Sequence, residues 1–138
     1  MGQVRDIMTR NVVIIEHSKT ARDAAVLLTE KDISFLVVVE NEKPIGIVTE
    51  RDLVRKVWAI DKKTSDIPLS DIMSYKFRSV TPTTSIEDAV QKMINNNIRR
   101  LVVLEDNNLA GVITETDLAS YLRSKLLIDG AMKSVESK

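Results

Sequence analysis

The chain has 138 residues, with 20 Lys plus Arg against 20 Asp plus Glu, so no net charge draws it towards nucleic acid or an anionic membrane. A hydrophobic share of 43% beside 29% charged residues is ordinary globular composition and sets disorder aside. The absence of cysteine excludes disulfides, thiolate metal sites and a cysteine nucleophile, and the single histidine, His17, cannot build a multi-histidine metal site.

Apolar runs such as Phe35-Leu36-Val37-Val38-Val39 fall far short of a membrane span. The start Met1-Gly2-Gln3-Val4-Arg5-Asp6 carries no apolar signal core, and Asp6 stands where a myristoylation motif takes Ser or Thr. A cytoplasmic protein without a membrane partner is expected.

In chain order, Val12 to Ile15 reads as a short β-branched strand. Ala21, Ala24, Ala25 and Leu28 then share one helix face, with Thr20 and Asp23 as an N-cap pair. Phe35 to Val39, the polar turn Glu40 to Pro44, and Ile45 to Val48 form a predicted β-hairpin. A closing helix starts near Glu50 and carries Leu53, Val57 and Ile60, with Trp58 on its final turns as a packing or dimer-interface residue. The polar stretch Asp61 to Asp66 is the expected linker. The same series follows again. Ser85 and Asp88 cap a helix bearing Ile86, Ala89, Val90 and Met93; Leu101 to Leu104 and Leu109 to Ile113 form a hairpin. The last helix starts near Glu115 with Leu118, Leu122 and Leu126 and is expected to end at Asp129-Gly130-Ala131, leaving the residues through Lys138 loose.

A shift of 65 positions superimposes the two halves without a gap. Asp6-Ile7-Met8-Thr9 falls on Asp71-Ile72-Met73-Ser74, and Gly46-Ile47-Val48-Thr49-Glu50-Arg51-Asp52-Leu53 on Gly111-Val112-Ile113-Thr114-Glu115-Thr116-Asp117-Leu118. A unit of about 50–55 residues buries too little surface to be secure alone, so the two are expected to share a core. The repeats are placed at residues 1–65 and 66–138, together one module with an ordered core of about 4–128. Met8 and Met73 are read as core gap-fillers and His17 as a surface residue.

The doubled Gly-x-x-Thr-x-x-Asp motif is the pattern with chemical content. Each copy lies where a strand ends and a helix begins. Unpaired N–H groups and the helix dipole favour a phosphate there, a Thr hydroxyl adds a donor, and an Asp one turn on can accept from a sugar diol. Thr-x-x-Asp is equally a plain helix cap. Arg99 and Arg100, just before a strand, are suited to bidentate contact with phosphate oxygens or lie on a solvated strand end; Ser34 and Phe35 take their places in the first repeat.

With this element order and these paired motifs, the chain resembles a tandem pair of cystathionine β-synthase (CBS) domains, a Bateman module, over about residues 4 to 128. The resemblance implies an α+β fold of two pseudo-symmetric β-α-β-β-α repeats packed sheet to sheet, two clefts, and a disc-like homodimer. It further implies AMP, ADP or ATP as ligand with no required cofactor, while the residue inventory, with one His, no Cys and carboxylates that recur singly, argues against a metal and against catalysis. Asp52 and Asp117 would take ribose hydroxyls, Thr49 and Thr114 would face ribose or phosphate, and Arg51 and Thr116 would lie near phosphates. Ile33, Ser34 and Phe35 would line the site closed by Asp117. Arg99 and Arg100 match phosphate-reaching positions, and Val13 and Arg78 fall near the adenine regions. Ile47, Ile98 and Val112 complete the implied nucleotide-binding set. The Asp117 site is expected to bind the phosphorylated ligand more tightly.

Such pairs usually regulate a fused effector; here the signal is expected to pass to a separate, unidentified effector protein. The competing readings are a ligand-free dimerisation module, an S-adenosylmethionine site, or nucleic-acid binding, the last disfavoured by the neutral charge.

Overall fold

The computed structural model describes residues 2–136. Two copies of strand, helix, strand, strand, helix follow one another, as the repeat predicts. The first comprises β1 (Ile14–Glu16), α1 (Ala21–Lys31), β2 (Phe35–Glu40), β3 (Lys43–Thr49) and α2 (Glu50–Lys56). The second comprises β4 (Ser79–Val80), α3 (Ile86–Asn96), β5 (Arg100–Glu105), β6 (Asn108–Thr114) and α4 (Glu115–Glu136). Each copy forms a three-stranded sheet, ordered β1-β2-β3 and β4-β5-β6, giving a mixed α+β fold.

The helix starts follow the caps. Asp23 N–H donates to the Thr20 hydroxyl at 3.3 Å, while the Asp23 carboxylate accepts from Thr20 N–H at 3.0 Å. The bond from Thr20 N–H foremost, and one from the Thr20 hydroxyl at 3.0 Å, hold the Asp23 carboxyl below its ordinary pKa. Ser85 caps α3 likewise, accepting from Asp88 N–H at 3.1 Å. At the other ends Asp32 (φ 52°) and Asn97 (φ 50°) turn left-handed and stop α1 and α3.

β1 runs parallel to β2, with Ile14 opposite Val37, and β2 runs antiparallel to β3, with Phe35 opposite Thr49. The register shifts between Val38 and Val39, where Pro44, which has no N–H to donate, faces Val39. Both hairpins close through two residues at positive φ, Asn41-Glu42 (51° and 67°) and Asp106-Asn107 (52° and 65°). That is the backbone of a type I′ turn, whose twist matches the strands. Glu42 lacks the short polar side chain that eases the left-handed region. Glu42→Gly should therefore raise stability by about 0.5–1 kcal/mol, read as the midpoint of urea unfolding at unchanged slope.

Four sequence expectations are corrected. β1 begins at Ile14 and not Val12, and β3 begins at Lys43, because the turn needs only two residues. The first closing helix ends at Lys56, so Trp58 lies on a following 3-10 turn, Trp58–Ile60. Finally, α4 continues through Gly130 to Glu136, since an isolated glycine weakens a helix without breaking it.

The chain divides into two compact units. One draws on the segment up to Arg10, on Arg78–Glu105 and on the chain from Ala110; the other on Asn11–Phe77 with the turn Asp106–Leu109. The opening segments are thus exchanged. Residues 2–9 dock on the second repeat: Val4 N–H donates to Thr84 O at 2.8 Å, and Ile86 N–H to Gly2 O at 3.1 Å. Residues 67–74 dock on the first: Ala21 N–H donates to Ile67 O at 2.8 Å, and Leu69 N–H to Lys19 O at 3.3 Å.

The cores show why. In one, Ile67, Leu69, Ile72 and Met73 pack with Ala21, Ala24, Leu28, Leu36, Val38 and Val48. In the other, Val4 and Met8 pack with Ala89, Met93, Leu101, Val103 and Ile113. Alanines on one face of each helix leave room for these side chains, and burying each large one contributes about 1.5–3 kcal/mol.

Candidate functional site

In one unit, β5 and β6 bring the second motif together. Glu115 N–H donates to Arg99 O at 2.9 Å, which sets the start of α4 beside the start of β5. Thr114 and Asp117 form a reciprocal cap: Asp117 N–H donates to Thr114 Oγ1 at 3.1 Å and Thr114 N–H to Asp117 Oδ2 at 2.9 Å. Thr9, from the opening segment, reaches Asp117 with its hydroxyl 3.4 Å from Oδ1 and 3.5 Å from Oδ2. That is long for an O–H···O bond, so the hydroxyl stands by the carboxylate without holding it.

Arg99, Arg100, Thr114, Thr116 and Asp117 therefore share one end of this unit. Thr116 is exposed and Arg100 half-buried. Arg99 is exposed, its Nε 3.9 Å from Glu115 Oε2, a separation and exposure at which the pair adds little stability. Val112 is buried within β6, Ile98 is half-buried against the core, and Arg78 is exposed, with its carbonyl accepting from Val102 N–H at 3.0 Å.

In the other unit the first motif is built alike. Asp52 N–H donates to Thr49 Oγ1 at 3.1 Å and Thr49 N–H to Asp52 Oδ2 at 2.9 Å. Glu50 N–H donates to Ser34 O at 3.0 Å, so Ser34 and Phe35 stand beside Thr49, Arg51 and Asp52. Ile33 and Val13 are partly buried against the core, and Ile47 is buried in β3. Both threonine–aspartate pairs are caps, and each carboxylate also has an oxygen, Oδ1, that the cap does not use.

Three features escape the sequence motif. Lys56 stands one helical turn beyond Asp52, with Nζ 3.1 Å from Oδ1; the Asp-x-x-x-Lys spacing is a signal that could have found it. Thr9 had no such signal, because it is 108 positions from Asp117. The motif glycines have a packing role: a Cβ at Gly111 would lie 2.6 Å from Thr9 O, and one at Gly46 would lie 3.0 Å from Ser74 O. Each glycine lets an opening segment pair with the strand, Thr9 with Val112 and Ser74 with Ile47.

Among the described residues no group of three or more His, Asp or Glu could hold a metal ion. Among them, too, no helix is long and apolar enough to cross a membrane.

The CBS domain family model matches the chain twice, over residues 4–59 and 69–124. The CBS domain-containing protein YhcV of Bacillus subtilis is 34% identical over 119 residues, 86% of this chain and 84% of that protein. The uncharacterized protein MJ1232 of Methanocaldococcus jannaschii is 33% identical over 124 residues, but the chain spans only 40% of its length. Among solved structures, the CBS domain pair of protein MJ0100, in complex with 5′-methylthioadenosine and S-adenosyl-L-methionine, superposes with a TM-score of 0.80. The match covers 91% of this chain and 98% of that one at 24% identity, a likeness of fold. Two sheets of one topology, two capped strand-to-helix junctions and two family matches in the same register have one explanation: the chain belongs to the CBS domain family and carries two CBS domains in tandem.

Proposed function

We propose that the protein is a non-enzymatic regulatory module that binds an adenosine-containing ligand, with AMP, ADP or ATP favoured, and passes the signal to a separate effector in the cytoplasm. The observation that carries this reading is the carboxylate of Asp117. Its Oδ2 accepts from Thr114 N–H, while among the described residues Oδ1 has only the long contact with Thr9. A carboxylate with an oxygen to spare, at the mouth of a strand-to-helix turn, suits the hydroxyls of a ribose. The Thr114 and Thr116 hydroxyls and the Arg99 and Arg100 guanidinium groups at the same end supply donors for phosphate. The solved CBS pair of MJ0100 holds two adenosine-bearing molecules, which supports this ligand class and keeps S-adenosylmethionine as the alternative.

Self-association belongs to the same reading. Val54, Trp58 and Ile60 are exposed large apolar residues close together in the chain, and they give one copy a surface to present to another as a homodimer.

A thermal-shift series tests the ligand. AMP at about 100 times its Kd should stabilise the fold by about 2.7 kcal/mol and raise Tm, while 2′-deoxy-AMP, lacking one of the two hydroxyls, should raise it less. An unchanged Tm with AMP, ADP, ATP and S-adenosylmethionine alike would overturn the reading.

A further inference from the structure

The two motif aspartates are identical in sequence and unequal in their surroundings. Asp52 is fully engaged: Oδ2 accepts from Thr49 N–H at 2.9 Å and from the Thr49 hydroxyl at 3.1 Å, and Oδ1 lies 3.1 Å from Lys56 Nζ. The Lys56 side chain is 45% exposed but is tethered at a second point. Its ammonium also donates to Ile72 O at 3.0 Å, and Ile72 is anchored in the core. The Asp52 side chain keeps only 15% of its surface exposed.

At Asp117 the corresponding clamp is missing. The residue 65 positions beyond Lys56 is Tyr121, which has no ammonium to offer, and its hydroxyl lies near Gly2, 3.9 Å from where a Gly2 Cβ would stand. Among the described residues, the Asp117 carboxylate keeps one close hydrogen bond, from Thr114 N–H, and the long contact with Thr9.

We propose that Lys56 closes the Asp52 end to nucleosides, so that each chain takes a single adenosine ligand, at Asp117. This inference rests on the functional reading above and divides its two candidate carboxylates. A ribose diol offers two neutral O–H donors. To bind Asp52 it must displace an ammonium, so that a contact charged on both sides gives way to one in which only the carboxylate is charged. The displaced ammonium would also be pulled from the Ile72 carbonyl, leaving that acceptor without its partner. At Asp117, among the described residues, the diol displaces only the long contact with Thr9.

Isothermal titration with AMP tests this on the wild-type chain and on Lys56→Met, Lys56→Gln and Lys56→Arg, each first shown by melting to be folded. Wild type and Lys56→Arg, which retains a cation, should take one AMP per chain. Lys56→Met and Lys56→Gln should take two, and adding Asp117→Asn to wild type should weaken the binding of its one about 10- to 100-fold. Two equivalents in wild type, or one in both Lys56→Met and Lys56→Gln, overturns the role of Lys56 while leaving the ligand reading intact. No AMP bound by wild type or any variant overturns the ligand reading itself and this inference with it.

Discussion

Replacing Asp117 by Asn is expected to lower the affinity for AMP about 10- to 100-fold while leaving the fold in place. The reasoning separates two roles of one carboxylate. Asp117 Oδ2 caps α4 by accepting from Thr114 N–H at 2.9 Å, and an Asn carbonyl oxygen can accept the same bond, so the helix start survives. The amide cannot supply the charge that strengthens hydrogen bonds to a ribose diol, and loss of those bonds costs about 1.5–3 kcal/mol. Titration calorimetry and melting curves on the same preparation read the two roles apart. Unchanged affinity with a lowered Tm would leave Asp117 as a helix cap only. Asp117→Ala should lose both, because nothing remains to accept from Thr114.

Gly111→Ala is expected to destabilise the protein by about 1–3 kcal/mol, a large loss for one methyl group. Its Cβ would stand 2.6 Å from Thr9 O, a backbone atom that cannot swing aside, and 3.2 Å from Met8 Sδ. Thr9 O accepts from Val112 N–H at 3.0 Å and Thr9 N–H donates to Val112 O at 2.8 Å, so relief of the clash breaks that pairing. It also draws Met8 away from its core. Gly46→Ala should cost less, since the corresponding contacts, with Met73 Sδ and Ser74 O, are both at 3.0 Å. Thermal melts of the two variants should rank Gly111→Ala below Gly46→Ala. Equal melting temperatures would show that the difference in approach has no energetic weight. Because Thr9 stands beside Asp117, Gly111→Ala should also perturb AMP binding, which Gly46→Ala should leave alone.

Much of this was legible in the residues. The 65-position repeat, the caps at Thr20, Ser85, Thr49 and Thr114, and the apolar runs at Phe35–Val39 and Leu101–Leu104 specify elements through local physics. A side-chain oxygen three residues from an N–H, or a β-branched run between polar turns, acts within a few residues and needs no partner elsewhere. Element order and fold class followed from these signals, and the Thr–Asp pairs marked both strand-to-helix junctions. Where local signals were weak, boundaries slipped: Val12, Lys43 and Gly130 each have neighbours compatible with either state.

Tertiary structure alone decided which pieces share a core. Nothing in Asp6-Ile7-Met8-Thr9 says that it packs on the second repeat, or in Asp71-Ile72-Met73-Ser74 that it packs on the first. Both segments are short, each an Ile-Met pair between polar residues, and interchangeable by composition, and the exchange is fixed only by the hydrogen bonds and cavities each meets. The need for glycine at positions 46 and 111 follows from that docking, because the close neighbour is a backbone carbonyl far away in sequence. The inequality of Asp52 and Asp117 has this origin only in part: Lys56, four residues beyond Asp52, is legible in the sequence, while its tether to Ile72 O and the placing of Thr9 beside Asp117 come from the fold. The sequence already set the two ends apart by Arg99 and Arg100 against Ser34 and Phe35, but the charge around each carboxylate is set by whatever stands within about 4 Å, where Coulomb interaction is strongest. Here that is Lys56, held in place by Ile72 O, at one aspartate, and the hydroxyl of Thr9 at the other.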